Sequence, residues 1–578
     1  MPRKASGEVK IRRVEIKQKN GDTYVYERKI LYNPEKKYNE TLESQLIGKI
    51  LAGTTELIPT RPKRRENGAP AADDVSAVRK RAGMMAILDY VGSASGIDDL
   101  LYRCTDKGTA QKIISLARYI VATNGQPLPL IDVFQATHQL PYEDGLSESI
   151  YHDLFLRVGR DAGLEQKFFL GRCEALGTHP AIAYDSTTVP TYSRQQIEAR
   201  YGGRKKGDRG LKQIKFLVLY EAVTRQPIAF RKLPGNVSDV TTIANAIAQL
   251  KVLGIDGAEL ITDNGYCSGP NIARLLLAGF RFITRIKTSE SWVKQAINEH
   301  LDLADDPAAA VPFDPDIHAV TVAGMRTFEK PRVYASQKKG LKAGDIEHFR
   351  RRIYLQLYCN QVVQLEQSRA FDEKLRAVRD LLEAGTPLKL LTKAQQRLAA
   401  EYLCIKERGG KTSVAFNVEA CREVKRRFGF FALVSNKRKA PFDCLRTYRR
   451  RTLIELCFED YKDKTGGSRP RVWSADALQG RMFVQFVALC YLEFFAESIQ
   501  VLKDSLGQET GDKGHDVKQV LDAEKKLKTW LENTSLHHVL QWFDTVESTE
   551  VSARQRRRRW NTETTIRDRL FLKKLGVE

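Results

Sequence analysis

The pattern of apolar and polar positions divides the chain into stretches of different periodicity. Residues 1–60 alternate in short runs, and Asn20-Gly21 within Val14 to Tyr26 predicts a hairpin, because both turn positions favour positive φ. Residues 61–80 mix charge, Pro, Gly and small side chains without a period and read as a linker. From about Arg81 to Leu170, GMMAILDYVG, QKIISLARYIVA and SESIYHDLFLRVGRDAG repeat apolar residues at helical intervals. The texture changes at Ala181. AIAYDSTTV, KQIKFLVLYEA and QPIAFRKLPG read as strands, and VTTIANAIAQLKVLG as a helix begun by the N-cap types Ser238-Asp239. AELITDNGY is a further strand, NIARLLLAG a helix and RFITRIK a strand. The order β-β-β-α-β-α-β predicts an α/β fold with a mixed sheet covered by helices.

Beyond Thr288 this rhythm breaks. RRIYLQLYC reads as a strand, FDEKLRAVRDLLEAG and KAQQRLAAEYLCIKE as charged helices, and the segment to Arg427 as an inserted α+β domain. FGFFALVSN resumes the strand texture before a helix predicted over about Arg446 to Asp463. The most apolar window, Met482 to Ile499, contains Gln485, Glu493 and Glu497 and predicts a buried core helix rather than a membrane span. Helices are predicted near 516–531 and 535–544, with a basic run, RQRRRRW, at 554–560. The expected organisation is a basic arm and linker (1–75), a helical DNA-binding module (76–175), a core in two parts (176–287 and 428–505), an insertion (288–427) and a helical basic tail (506–578) for DNA contact or dimerisation.

Charge narrows the partner. Lys plus Arg number 94 and Asp plus Glu 71, a net charge of +23, which attracts polyanions and above all nucleic acid. The nine cysteines stand singly with no CxxC pair, which argues against a disulfide framework or cysteine zinc site and for a reducing interior. The basic start has no apolar stretch behind it, so the expected location is the cytoplasm, with no membrane partner. The basic N-terminal hairpin fits either a nucleic-acid arm or a solvated surface. The loop RYGGRKKGDRG at 200–210 lacks the P-loop spacing, so it suits phosphate tracking rather than ATP.

Candidate chemistry lies in the acids. Asp185 and Asp263 each follow an apolar strand, and open α/β sheets gather reactive groups at carboxyl strand ends; a turn former or N-cap explains either one alone. In YRRRTLIELCFEDYK, at about 100° per residue, Tyr448, Arg451, Glu455 and Lys462 share a stripe about 60° wide, with Leu453, Leu456 and Cys457 opposite. Two cations and a phenol beside a carboxylate suit phosphate contact next to a metal ion. Surface i,i+4 ion pairs would account for the charges but not for the stripe.

The spacing Y-x2-R-x3-E-x6-K resembles the signature of the YREK group of bacterial insertion-sequence DDE transposases. DSTT at Asp185, GNVSD at Gly235 to Asp239 and D-x-G-Y at Asp263 to Tyr266 resemble that group in the same order, over roughly residues 180–500. The resemblance implies an RNase H-like core with Asp185, Asp263 and Glu455 as catalytic acids and an insertion before the third. Glu459, one turn on, is the decoy.

Three carboxylates without a His or Cys cluster are hard ligands suited to two Mg²⁺ or Mn²⁺ ions. The implied activity is cut-and-paste transposition: nicking of the element end, a hairpin intermediate and strand transfer. Tyr448, Arg451 and Lys462 would contact DNA. The implied partners are duplex DNA with terminal inverted repeats, target DNA and a second copy of the chain in the synaptic complex. Trp292 is a candidate for stacking on a flipped base, although a Trp on an amphipathic helix also serves as core. The competing readings are a domesticated DNA-binding protein and a nuclease without strand transfer. Flanking inverted repeats separate the first, and a strand-transfer assay the second.

Overall fold

The fold is taken from a computed structural model. The structure describes residues 9–577 except 19–20, 34–37, 60–75, 178–180, 194, 197, 202–209, 334–341, 409–410, 438, 508–514 and 554–555. Most of the loop at 200–210, the start of the basic run at 554–560 and Asn20 therefore lie outside the described residues. The chain forms two compact units, one of residues 1–78 with 550–559, the other of 79–549 with 560–578.

In the first unit β1 (Lys10–Lys17), β2 (Thr23–Asn33), β3 (Tyr38–Ile50) and β4 (Leu57–Pro59) make an antiparallel sheet in chain order. The β1–β2 turn is longer than the two-residue turn predicted. Gln18 N–H donates to Asp22 O at 2.8 Å, and Gly21 takes φ +92°.

The second unit begins within β5 (Ser76–Arg81), which leads into helices Gly83–Ala94, Ile97–Cys104, Lys107–Thr123, Ile131–Thr137, Glu148–Arg160 and Ala162–Leu176. Local signals set their ends: the Asp106 side chain caps Lys107–Thr123 by accepting from Thr109 N–H at 3.0 Å, and Asn124 closes it at φ +54°. These helices pack on Ala475–Ser505, which contains the apolar window of the sequence. That helix is long and apolar enough to span a bilayer, but 78% of its apolar window is buried inside the protein. Glycine lets two backbones meet there: a Cβ on Gly480 would fall 2.0 Å from Phe155 O, and one on Gly159 1.8 Å from Asp476 O. One continuous apolar core runs from helix Gly83–Ala94 through the central sheet to Ala475–Ser505, so no gap in packing separates the helical region from the sheet.

The central sheet begins with β6 (Ala181–Thr191), β7 (Lys212–Glu221), β8 (Gln226–Pro234), β9 (Glu259–Thr262) and β10 (Arg281–Ile286). Helices Asp239–Val252 and Gly269–Leu277 precede β9 and β10, so the predicted element order is the observed one. β6 pairs antiparallel with β7 and parallel with β9, which pairs parallel with β10. The long segment that follows contributes β11 (Ala310–Val311), β12 (Asp314–Pro331) and β13 (Ile346–Asn360), then the hairpin β14 (Leu403–Arg408) and β15 (Lys411–Phe416), before β16 (Phe430–Ser435). β11 to β13 extend the central sheet through β16 to give nine strands, ordered β11-β12-β13-β16-β10-β9-β6-β7-β8. Helices Gln361–Glu383 and Lys393–Tyr402 pack with the β14–β15 hairpin around a small core of their own, including Leu375, Val378, Ala399 and Val414.

The single helix predicted over 446–463 is corrected. Helix Pro441–Arg449 ends at Arg450, a second helix runs Thr452–Glu459, and a π-turn follows over Asp460–Lys464. Ile454, Cys457 and Phe458 face the core, whereas Leu456, expected inside, is 51% exposed. Within the second helix Ile454, Cys457 and Phe458 set the buried face, and Leu456, about 160° round from both Ile454 and Phe458, lies off it.

Candidate active site

The β6–β9 pairing positions two acids. Ala183 lies opposite Ile261 in the parallel register, so Asp185 and Asp263 stand at equivalent positions two residues on, pointing to the same face. Asp185 is not at the end of its strand as expected: β6 continues against β7 to Thr191. The paired part of β9 stops at Thr262, which opens the sheet beside Asp185 and leaves Asp263 at the turn.

Helix Pro441–Arg449 and the break after it bring the remaining residues over this opening. Tyr448 Oη donates to Asp263 Oδ1 at 3.2 Å. Arg451 donates from one terminal nitrogen to Asp185 Oδ2 at 3.2 Å and from the other to Glu455 Oε1 at 2.8 Å. One guanidinium thus bridges an acid of the sheet and an acid of the helix. The Arg451 side chain is 14% exposed and its Nε is buried without a partner, while Glu455 is 49% exposed. The structure therefore gathers Asp185, Asp263, Tyr448, Arg451 and Glu455. Lys462 does not join them. It lies on the π-turn and lines a separate cavity beside Gly466 and Arg481.

Electrostatics follow from this placement. Burial pushes the Asp185 carboxyl up to about 6, and the nearby Asp263 adds to the rise, against the Ser186 N–H, Arg451 and the Tyr266 hydroxyl. Burial with the adjacent Asp263 raises the Tyr448 phenol to about 12, so it remains a donor at neutral pH. Burial opposes the charge on Arg451, but the surrounding Tyr448, Asp263, Glu455 and Asp185 outweigh it and hold the guanidinium protonated.

Two contributors were not singled out from sequence. Tyr266 Oη donates to Asp185 Oδ1 at 3.2 Å. Asp239 accepts from Ser186 Oγ at 3.0 Å and pairs with Lys215 at 2.5 Å, bracing the residue next to Asp185. Both lie in segments the sequence marked, D-x-G-Y and GNVSD, but only the sheet shows which side chain reaches Asp185. Trp292, on helix Ser291–Glu299, is covered by Arg326, whose guanidinium carbon lies 4.3 Å from the ring centre.

Among the described residues no three His, Cys, Asp or Glu side chains are gathered closely enough to hold a metal ion. The donor set nevertheless suits one. The groups that converge are carboxylates, hard oxygen donors, and Arg451 stands between two of them as the local positive charge.

Residues 176–491 match the family described as "Transposase DDE domain", more than half of the chain. The chain belongs to this family. It is a DDE transposase, an enzyme of DNA transposition whose family works with divalent metal ions on DNA. No curated protein matches the chain. Among solved structures the transposase is similar to one described as "Cryo-EM structure of piggyBac transposase synaptic complex with hairpin DNA (SNHP)". The likeness has a TM-score of 0.32 at 8% identity, over 79% of this chain and 81% of that one, too distant to bear on the site.

Proposed function

We propose that this transposase is of the YREK type and moves an insertion sequence by cutting it out and joining it to target DNA. The observation that carries the reading is the meeting of the Y-x2-R-x3-E residues with both strand-borne acids: Tyr448 on Asp263, and Arg451 on Asp185 and Glu455. The order β8-β7-β6-β9-β10 supports an RNase H-like core, with one acid on its first strand, one after its fourth and one on a late helix. β10 and β16 pair directly although 288–427 lies between them, which supports reading that segment as an insertion.

Asp185, Asp263 and Glu455 are the residues that would hold two Mg²⁺ or Mn²⁺ ions. Such ions, when bound, supply Lewis acidity to the attacking and leaving oxygens. The chain's own groups do the rest. Arg451 neutralises Asp185 and Glu455, and its guanidinium would be available to a DNA phosphate were cations held by those acids. Tyr448 keeps its proton and donates to phosphate; it is not a nucleophile. Lys462 adds a phosphate contact beyond the acids.

The reaction is a series of in-line displacements at phosphorus. Water attacks the element end and frees a 3′-OH, which attacks the opposite strand to close a hairpin. Water reopens the hairpin, and the 3′-OH then attacks target DNA. The partners are duplex DNA with terminal inverted repeats, target DNA and a second copy of the chain that joins the two ends, at the bacterial nucleoid in the cytoplasm. The test is an assay of the purified protein with Mg²⁺, target plasmid and duplex carrying the DNA that flanks its coding region. Hairpin ends and joined products are expected; nicks without either would reduce the protein to a nuclease.

A further inference from the structure

Beside the π-turn lies a cavity of about 250 Å³ that the chemistry at the acids does not use. Two glycine turns form its rim: Gly125 and Gly466 take φ of +74° and +68°, and a Cβ on Gly125 would fall 2.7 Å from Gly466 N. Lys462, Arg469, Arg471 and Arg481 line the cavity against a single carboxylate, Asp463.

This is an unusual density of like charge. Among the described residues none of the four cations forms an ion pair; Arg469 instead lies over the Tyr192 ring at 5.6 Å. Arg481 Nε is shielded from solvent and makes no hydrogen bond. Burial lowers the Arg481 guanidinium to about 10, and the like charge of Arg471 adds to the fall, against Tyr461 and Tyr151. Burial also lowers Lys462, against Asp463 and Glu459. The turn fixes Arg471 at φ +49°, a conformation uncommon outside glycine and asparagine. A concave site with unpaired guanidinium donors fits a tetrahedral oxyanion, because Arg binds phosphate through several charge-assisted hydrogen bonds at once.

We propose that this cavity is a second phosphate-binding subsite, formed by Arg469, Arg471, Arg481 and Lys462, that takes a backbone phosphate of bound duplex DNA. The assignment rests on the transposase reading for the source of the phosphate, since free inorganic phosphate shares the same chemistry.

The test compares wild type with Arg471→Gln, Arg481→Gln and the exposed Arg469→Gln, using circular dichroism to verify folding. Binding of the flanking-end duplex is measured across a salt series, and inorganic phosphate binding by calorimetry. Loss of a phosphate contact should weaken duplex binding roughly tenfold and reduce the salt slope by about one. Arg481→Lys should recover part of the loss. Folded Arg471→Gln and Arg469→Gln proteins with wild-type duplex affinity and slope would overturn the proposal, as would phosphate binding that is lost in the variants while duplex binding is not. Asp185→Asn serves as the separating control. If it abolishes cleavage but binds duplex normally while the arginine variants also bind normally, the subsite fails and the catalytic reading stands. If the wild type does not bind duplex, the DNA reading fails with it.

Discussion

Arg451 donates to Asp185 at 3.2 Å although 266 residues separate them in the chain. The same guanidinium holds Glu455, so the acids of the sheet and the helix share one counter-charge. Arg451 is therefore the positive charge that balances both acids.

Arg451→Ala should leave Asp185 and Glu455 without that counter-charge. The metal-free variant is expected to lose about 1–3 kcal/mol of stability, the scale of a lost hydrogen bond to a charged group. It should also gain more from Mg²⁺ than the wild type in thermal unfolding. Equal Mg²⁺-induced shifts in the two proteins would refute the exchange of guanidinium for metal.

Tyr448→Phe removes one hydrogen bond to Asp263, worth about 1 kcal/mol, and should lower cleavage by no more than roughly tenfold. Labelled DNA run with wild type under denaturing conditions should show no protein-linked band. A protein–DNA adduct lost in Tyr448→Phe would mean that the phenol is a nucleophile.

Much of this site was legible in the chain. The change from helical to strand texture at Ala181 placed the sheet, and acids following two apolar runs marked neighbouring parallel strands. The break at Arg450–Arg451 was not legible, because neither Gly nor Pro marks it and Arg451 itself keeps helical dihedrals of φ −58° and ψ −30°. That Lys462 lines a cavity apart from the acids was not legible either, because the wheel assumed continuous α-helix and the π-turn changes the angular step after Glu459. The pairing of β16 between β10 and β13 depends on contacts far apart in sequence, which no local period encodes.

Divalent-ion binding should depend on pH through Asp185. Its carboxyl is held at about 6 in the metal-free protein, so below that pH a proton competes with the cation. Mg²⁺ affinity is expected to fall by roughly tenfold per pH unit below about 6 and to level off above it. Calorimetric titration from acid to neutral pH measures this, and a flat profile contradicts the placement of Asp185 in the ion site.

A second pH effect concerns stability. Glu493 accepts from Tyr220 Oη at 2.9 Å in the core, and burial, with the charge of Asp460, raises its carboxyl to about 8. The folded state keeps a proton that the unfolded chain releases near 4.5, so this group's contribution falls as pH rises between those values. Glu493→Gln should match wild type near pH 5 and exceed it near pH 9, by on the order of a few kcal/mol in urea unfolding. Parallel stability curves would show that Glu493 does not titrate in this way.

The central claim is that Glu455, rather than its neighbour Glu459, completes the set begun by Asp185 and Asp263. Cleavage of the flanking-end duplex by Glu455→Ala and Glu459→Ala, measured side by side with Mg²⁺, tests it most directly. Glu455→Ala should bind the duplex and leave it uncut, while Glu459→Ala cuts near the wild-type rate. Wild-type cleavage by Glu455→Ala, or its loss in Glu459→Ala alone, would contradict the account.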